Sequence, residues 1–442
     1  MKKLLGISAV LVAFILTAGA QTATAETPDN NDQPIPSDSK VLSIPDALLP
    51  EQSLPIPDVA IAQFASDTQL ALSEQDQFSG VYLNDDRKGV TVYWYGESNA
   101  ELQSAAGAVP AGYSFGVKET KFLPIDLKDA IDKLMENPSV IEGAEISVAS
   151  APIDASRIDL EVKVADGAKI DAAALEASYE EVVGSSKFPV VVTASPGLDT
   201  SAGRNDSAYN IAGMTIHDGT GIACTTNFAV TAQSNPAVKG IMTAAHCGAV
   251  GQNWYKLRTS LPVVGLYAFG NETARYTSRD AALVTNATYY DPYIYWGTYT
   301  SSTYVGITGV LLPVANASLC FSGSYSGTVC SNVVSTLVAT CNLGGDLSAV
   351  NCVVSTQSVG IPAAGHGDSG GPGVQIVAYN GANYLSASTI ISAIPGGSGS
   401  TCQGIPGGTG TNDRKCSSTV YSTQAYWAAQ GLFQDIVTLP YP

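Results

Sequence analysis

All eight cysteines of this 442-residue chain lie in its C-terminal half, and this one-sided distribution limits the fold more than any other feature of the sequence. An even number of cysteines in an exported chain indicates disulfides. A structural zinc site is disfavoured, because there is no C-x-x-C pair and only three histidines are present. The cysteines are Cys224, Cys247, Cys320, Cys330, Cys341, Cys352, Cys402 and Cys416.

The N-terminus carries the features of an export signal. Lys2 and Lys3 precede the apolar run Leu4 to Leu16, and Ala23-Thr24-Ala25 supplies the small residues of a cleavage site. A membrane anchor is the competing interpretation, but 13 uninterrupted residues are too few to cross about 30 Å of hydrocarbon. We therefore expect residues 1–25 to be a signal peptide and the product to be secreted, extracellular and free of the membrane.

Charge divides the chain at the same place as cysteine does. Residues 26–196 contain 11 Lys/Arg and 29 Asp/Glu, a net charge of −18, whereas residues 197–442 contain 8 and 10, a net charge of −2. The two halves therefore have different surfaces and different roles. Neither half has the basic tract that nucleic-acid binding requires.

The acidic half has three parts by pattern. Residues 26–77 are rich in Pro, Asp and Ser without a sustained period, which predicts an extended linker. Residues 78–196 combine a hairpin pattern, an amphipathic helix and further strands, which predicts a small α+β domain without a catalytic cluster. The polar stretch 197–207 is a flexible connection of the kind that proteases cut.

Residues 208–442 contain many short apolar runs separated by Gly, Asn and Ser. Repeated short strands with turn signals are typical of an all-β sandwich or barrel. Within this part, the stretch "AAGHGDSGGPGV" (363–374) places Ser369 in a glycine-rich loop. A serine hydroxyl becomes an effective nucleophile only beside a base, normally a histidine held by a carboxylate.

Three histidines are candidates for that base. His246 stands in "GIMTAAHCGA", at the end of an apolar strand and directly before Cys247, which can bridge to Cys224 and fix the loop. His366 is three residues from Ser369 on one tight loop and is better placed to line the rim of a cleft. His217 lies at a strand end and needs no special role. The sequence therefore favours His246.

The acids between His246 and Ser369 are candidates for the carboxylate. Asp280 opens the apolar strand "RDAALV" and can be buried against the imidazole, which favours it over the acids in polar loops and turns. The remaining candidates are Glu272, Asp291, Asp346 and Asp368.

Two other hydrolase arrangements fail on chain order and pattern. Gly367 to Gly371 fits G-x-S-x-G, but the α/β-hydrolase fold needs a histidine after the serine, and the chain has none there. A subtilisin-like order could use Asp218, yet the chain lacks alternating strands and helices. The order His246, Asp280, Ser369 on an all-β background remains.

The motifs "TAAHC", "DAALV" and "GDSGGP" together resemble those of the chymotrypsin-like serine peptidases. The export signal, short loops and long α+β segment before the peptidase resemble the secreted bacterial subgroup of streptogrisins and α-lytic protease. The resemblance covers 208–442 and implies a double six-stranded β-barrel, with 208–310 supplying His246 and Asp280 and 311–442 supplying Ser369. It implies no metal and no organic cofactor.

The resemblance also implies the role of each site residue. Ser369 attacks the scissile carbonyl, His246 takes the proton and returns it to the leaving amine, and Asp280 orients the imidazole. The backbone N–H groups of Gly367 and Ser369 form the oxyanion hole. An apolar specificity pocket selects medium to large apolar or aromatic residues, and its walls are Ala363, Ala364, His366, Ile394, Gly396 and Gly397.

Cys320–Cys330 matches a disulfide loop of the family. Ala363 stands where the subgroup often has the cysteine that pairs with the one after the Gly-Gly segment, so we expect Cys402–Cys416 instead, and Cys341–Cys352 in a region where the subgroup commonly has no bridge. Pro395 stands where the family has a serine that supports the aspartate, and Phe321 replaces the basic residue that pairs with Asp368. Arg204, Arg275, Arg279 or a newly freed amino terminus are the alternatives for that pairing.

The expected function is that of a monomeric secreted serine endopeptidase acting on proteins or peptides. By resemblance, residues 26–196 are a pro-segment that assists folding and then blocks the cleft. Because a net charge of −18 must stay solvated, its contact with the peptidase should be apolar, with the strand "FPVVVTA" (188–194) as the candidate. The alternative is a catalytically silent binding or adhesion protein on a peptidase fold.

Overall fold

The computed structural model describes residues 41–441, with gaps. The gaps are 140, 142–143, 165–171, 183–187, 196–197, 200–208, 220–222, 259–264, 286, 288, 397–401 and 405–413. The predicted signal peptide and most of the predicted connection 197–207 therefore lie outside the described residues.

The acidic half forms two small layers, each containing three paired strands. The first contains α1 (Val59–Leu72), β1 (Phe78–Leu83), β2 (Gly89–Trp94), α2 (Ala100–Gly107) and β3 (Ser114–Glu119). The second contains α3 (Pro124–Glu136), β4 (Ala144–Ala151), β5 (Ile158–Val164), α4 (Ala172–Val182) and β6 (Val190–Ser195), and the short strand β7 (Leu198–Asp199) follows.

Helix α1 lies in the stretch that the sequence predicted as an extended linker, so that prediction is wrong from Asp58 onward. The Asp58 side chain caps the helix by accepting the Ala60 N–H at 2.8 Å. The helix then buries Ile61 and Phe64 in one cluster with β1, β2 and the C-terminal half. Local pattern underestimated this helix because its stability comes from these long-range contacts.

The C-terminal half is built from strands and one short helix among its described residues. Its elements are β8 (Thr215–His217), β9 (Ala223–Thr225), β10 (Ala229–Ala232), β11 (Asn235–Thr243), β12 (Asn253–Arg258), β13 (Gly265–Tyr276), β14 (Ala281–Thr285), β15 (Tyr293–Tyr295), β16 (Tyr304–Val310), β17 (Ser318–Gly323), β18 (Gly327–Cys341), β19 (Val350–Gln357), β20 (Ala364–Gly365), β21 (Pro372–Tyr379), β22 (Ala382–Pro395), β23 (Cys416–Ser417), β24 (Thr419–Gln424), α5 (Ala425–Gly431) and β25 (Gln434–Ile436).

These strands form the all-β double barrel that the sequence predicted. In the second barrel, β22, β21, β17, β18, β19 and β24 pair in a closed ring of six strands. In the first, β25, β10, β11, β14, β13, β12, β8 and β9 form one curled sheet. The predicted division at residue 310 is inexact, because β15 and β16 join the second barrel through β22, and β25 returns to the first through β10.

The acidic half extends the second barrel through backbone pairing. Strand β4 pairs antiparallel with β18, so that Thr340 lies opposite Ala149 and Cys341 opposite Val148. The sheet therefore continues from the barrel through β4 and β5 to β6. The prediction that "FPVVVTA" is the strand that contacts the peptidase is wrong. This stretch forms β6, which pairs with β5 on the side away from the barrel.

Helices of the described residues are all too short or too polar to cross a membrane.

Candidate active site

Two neighbouring strands bring His246 and Asp280 together. Strand β11 ends at Thr243, and a single 3-10 turn, Ala245–Cys247, carries the histidine. Strand β14 begins directly after Asp280 and pairs antiparallel with β11, with Ala282 opposite Thr243. Because the end of one antiparallel strand meets the start of its neighbour, the two side chains emerge at the same edge of the first barrel.

The carboxylate of Asp280 holds the histidine at two points. Its Oδ2 lies 2.7 Å from His246 Nδ1, and its Oδ1 accepts the backbone N–H of His246 at 2.8 Å. Asp280 is fully buried and takes a left-handed backbone conformation with φ of 44°, which aspartate tolerates better than most residues. Nδ1 is therefore the protonated nitrogen when the ring is neutral, and the free lone pair lies on Nε2.

A disulfide fixes the loop behind this ring. Cys224 and Cys247 are bonded with their Cα atoms 6.3 Å apart. The two sulfurs also lie close to His246, but as disulfide sulfurs they are not thiolate ligands for a metal ion. The other three disulfides join the pairs that the sequence analysis expected, namely Cys320–Cys330, Cys341–Cys352 and Cys402–Cys416.

The loop that carries Ser369 is bound to β9, the strand that contains Cys224. The carbonyl oxygen of Ser369 accepts the Thr225 N–H at 2.7 Å, and the Thr225 hydroxyl donates to the carbonyl of Gly367 at 2.7 Å. Gly367 has φ of 123°, a conformation that essentially only glycine adopts. Ser369 is therefore held at the junction of the two barrels, beside the segment that the Cys224 disulfide links to the histidine loop.

Gly370 shows how closely the two loops approach. A Cβ at this position would lie 2.3 Å from Thr243 Oγ1 and 2.8 Å from the backbone nitrogen of Ala244. These are the residues that lead into the His246 turn. Any side chain at position 370 would push the serine loop away from the histidine loop, which explains the glycine after Ser369.

Arg414, which the sequence analysis did not name, is the partner of Asp368. Its Nη2 lies 3.0 Å from Asp368 Oδ2. Arg275 instead pairs with Asp346 at 2.9 Å, and Arg279 lines a cavity of about 470 Å³ between the two halves. Arg204 lies outside the described residues.

Sequence reasoning missed Arg414 because the loop between Cys402 and Cys416 shows no periodic pattern. Strand β20 pairs with β23, so that Gly365 lies opposite Cys416 and the arginine reaches the serine loop. The guanidinium Nε also donates to the carbonyl of His366 at 2.6 Å. Its position two residues before a cysteine was the available signal.

The predicted pocket walls lie on two segments of the second barrel. Ala363 and Ala364 are buried in one apolar cluster with Ile394. His366 follows β20, and its backbone N–H donates to the carbonyl oxygen of Lys415 at 2.8 Å. Gly396 is also buried, whereas Gly397 lies outside the described residues. The apolar specificity of this pocket stays a prediction.

Pro395 faces the connection between the halves. It pairs with Leu198 of β7, and Ile394 pairs with Asp199, in antiparallel register. The carboxylate of Asp280 has both its oxygens hydrogen-bonded to His246. The expectation that Pro395 removes one hydrogen bond from Asp280 stays a prediction, and the strand pairing gives Pro395 a further role at the contact with β7.

Glu272 is a buried acid beneath the histidine loop. Its Oε2 lies 3.4 Å from the indole nitrogen of Trp254, and its Oε1 lies 3.6 Å from Arg275 Nε. Burial raises the pKa of Glu272 from 4.5 to about 7, and these two partners oppose the shift only in part. Proton uptake at Glu272 therefore favours the folded state.

Glu272→Gln should flatten the dependence of stability on pH. With a folded-state pKa above the unfolded one, Glu272 contributes stability that is complete below pH 4.5 and is lost as pH rises through about 7. Between pH 5 and 8 we expect the free energy of unfolding to fall by about 2 kcal/mol less in the variant than in the parent. Urea unfolding of the inactive Ser369→Ala chain at a series of pH values measures this.

Asp346→Asn is the matched control, because this acid also contacts Arg275 but its side chain is 60% exposed. It should leave the pH slope as in the parent chain. Equal slopes for Glu272→Gln and the parent would contradict the assigned pKa.

Arg414→Ala should destabilise the protein strongly. The change leaves the fully buried Asp368 carboxylate without its cation, which typically costs about 3–5 kcal/mol. Arg157→Ala, which removes an exposed pair with Asp159, should cost less than about 1 kcal/mol. Urea unfolding compares the two, and similar losses in both variants would show that Arg414 does not stabilise the serine loop.

Several solved structures are similar to this chain over about half of its length. Protease A of Thermobifida fusca and a Nocardiopsis protease each show 20% identity and a TM-score of 0.35, covering 52% of this chain and 99% of theirs. A glutamic acid specific serine protease shows 23% identity and a TM-score of 0.34, covering 51% and 100%. No protein-family model and no curated protein matches the chain.

Proposed function

We propose that this protein is a secreted serine endopeptidase that uses His246, Asp280 and Ser369. The observation that carries the proposal is the two-point hydrogen bonding of His246 by the buried Asp280. A carboxylate in this position selects the imidazole tautomer whose Nε2 is basic and stabilises the ring once it is protonated. The serine loop, bound to the neighbouring strand through Thr225, supplies the nucleophile.

The reaction proceeds through an acyl-enzyme. Ser369 Oγ attacks the scissile carbonyl carbon as His246 Nε2 takes the hydroxyl proton, and the carbonyl becomes an oxyanion. The N–H groups of Gly367 and Ser369 stabilise this charge. The C–N bond then breaks as His246 returns the proton to the amine, and water repeats the sequence to release the acid.

The acidic half acts on this site as a pro-segment. Strand β7 pairs with Ile394 and Pro395, next to the predicted pocket wall, and an extended chain in that place excludes a substrate. Strand β4 meanwhile completes the edge of β18. These two contacts support a precursor in which residues 26–196 assist folding and block the cleft, with processing in 197–207.

Removal of any member of the catalytic group should abolish peptidase activity. Ser369→Ala, His246→Ala and Asp280→Asn should each lower kcat by about a thousandfold or more, because the three residues act as a unit. Ser358→Ala, which changes an exposed serine in a turn, is the control and should keep full activity. Peptide hydrolysis after processing and removal of the acidic half measures this.

A fluorophosphonate probe tests the nucleophile directly. It should label Ser369 in the processed protein and no residue in Ser369→Ala, as read by peptide mass spectrometry. Absence of labelling together with near-normal folding would refute the peptidase and favour the silent binding protein.

The acidic half should be needed for folding. Two β-barrels rich in non-local contacts close slowly, and a preformed β4 strand offers β18 a template. We expect residues 197–442 alone, oxidised, to stay inactive, and residues 26–196 added in trans to restore activity. Ala149→Pro, which disrupts the strand opposite Thr340, should fail to restore it. Full activity of the isolated C-terminal half at a comparable rate would remove the folding role.

A further inference from the structure

Residues 41–57 cross the second barrel as a segment, which we call the strap, that contains one 3-10 turn at Asp46–Leu48 and no strand. The strap forms backbone hydrogen bonds with two barrel strands. The Gly306 N–H donates to the carbonyl of Val41 at 2.8 Å, and the Ile44 N–H donates to the carbonyl of Asn383 at 2.8 Å. These strand-like bonds fix the register of the strap on β16 and β22.

Side chains of the strap fill an apolar groove. Ile44 is only 3% exposed and belongs to one cluster with Trp296, Ile307 and Leu385 of the C-terminal half. The Trp296 indole N–H donates to the carbonyl of Leu48 at 3.0 Å. The strap therefore inserts a side chain into the groove and also satisfies the polar atom of the tryptophan that lines it.

The groove continues over three tyrosines. Tyr379, Tyr384 and Tyr441 contact one another, with ring centroids 5.1 to 6.2 Å apart. Leu42 packs against this cluster. The barrel thus presents an aromatic surface that the strap covers from above.

The far end of the strap is bound as well. Ser331 Oγ donates to the carbonyl of Glu51 at 3.1 Å and accepts the Ser53 N–H at 3.0 Å. The Ala378 N–H donates to the carbonyl of Pro57 at 2.9 Å. The strap is therefore held along its length, through backbone groups rather than charges.

Proline prepares the strap for this groove. Residues 45, 50, 55 and 57 are all proline. Proline fixes φ near the extended range, so the free segment has less conformational entropy to lose on binding. The groove accordingly suits an extended, proline-rich apolar peptide.

We propose that the groove under the strap is a second polypeptide-binding site, separate from the catalytic cleft, and that the strap anchors the acidic half there after the connection 197–207 is cut. The strap uses β16, β21 and β22 and the Trp296 and Ser331 side chains, whereas β4 binds β18 and β7 binds the end of β22. Hydrolysis at the connection breaks one peptide bond and removes none of the strap contacts. The processed protein is thus a two-chain complex, a property beyond the proposed function and independent of catalysis.

The test uses the full chain in its inactive Ser369→Ala form, with a recognition site for a sequence-specific protease inserted in 200–207. After cutting, dissociation of the two halves on dilution is followed by native mass spectrometry. Ile44→Asp places a charge in the groove and should raise the dissociation rate by about tenfold or more. Leu48→Asp makes the same change on a strap side chain that is 39% exposed and should change the rate by less than about twofold.

Ile44→Ala keeps the groove apolar and covers the case in which Ile44→Asp does not fold. It should raise the rate by about threefold to tenfold. Separation of the cut parent halves before the first measurement would overturn the proposal, as would equal rates for the parent and both Ile44 variants. Because Ser369 is absent throughout, failure of the proposed catalysis cannot produce either result.

Discussion

Five hydrogen bonds converge on the buried carboxylate of Asp368, and the position of the serine loop depends on them. Oδ1 accepts the N–H groups of Tyr325 and Ser326, both at 3.0 Å. Oδ2 accepts the Gly365 N–H, the Ser326 hydroxyl and Arg414 Nη2 at 2.6 to 3.0 Å. Since a buried carboxylate must be both solvated and neutralised by the protein, three separate segments have to reach their final positions before the serine loop is stable.

The sequence predicted those candidate site residues that stand at the ends of apolar strands. His246 and Asp280 stand at the ends of apolar strands, and strand pairing alone brings such ends together. Arg414 could not be predicted in the same way, because its contact with Asp368 joins residues 46 positions apart in sequence, and no periodic pattern leads to it. The burial of Glu272 could not be predicted either, because its neighbours in the sequence are polar and only the fold places it against Trp254.

The acidic half has a strongly negative net charge and nevertheless packs against the nearly neutral C-terminal half. A surface with a net charge of −18 over residues 26–196 has to remain hydrated, yet it must bind a nearly neutral barrel. It does so mainly through strand edges and small or apolar side chains, such as Val148 in one cluster with Ala245 and Ala393. Acids that enter the contact accept hydrogen bonds there: Glu161 accepts the hydroxyl of Tyr421, and Glu145 accepts the side-chain amide of Asn342.

Main-chain hydrogen bonds between strands carry much of the contact between the two halves. Main-chain hydrogen bonds lose little strength in salt, so dilution and ionic strength alone are weak means of release. The strap, β4 and β7 contact the barrel at separate places, so a chain that has lost one of these contacts remains tethered by the others at high effective concentration. Loss of one of these contacts is therefore not enough to separate the two halves, which also share a core through α1.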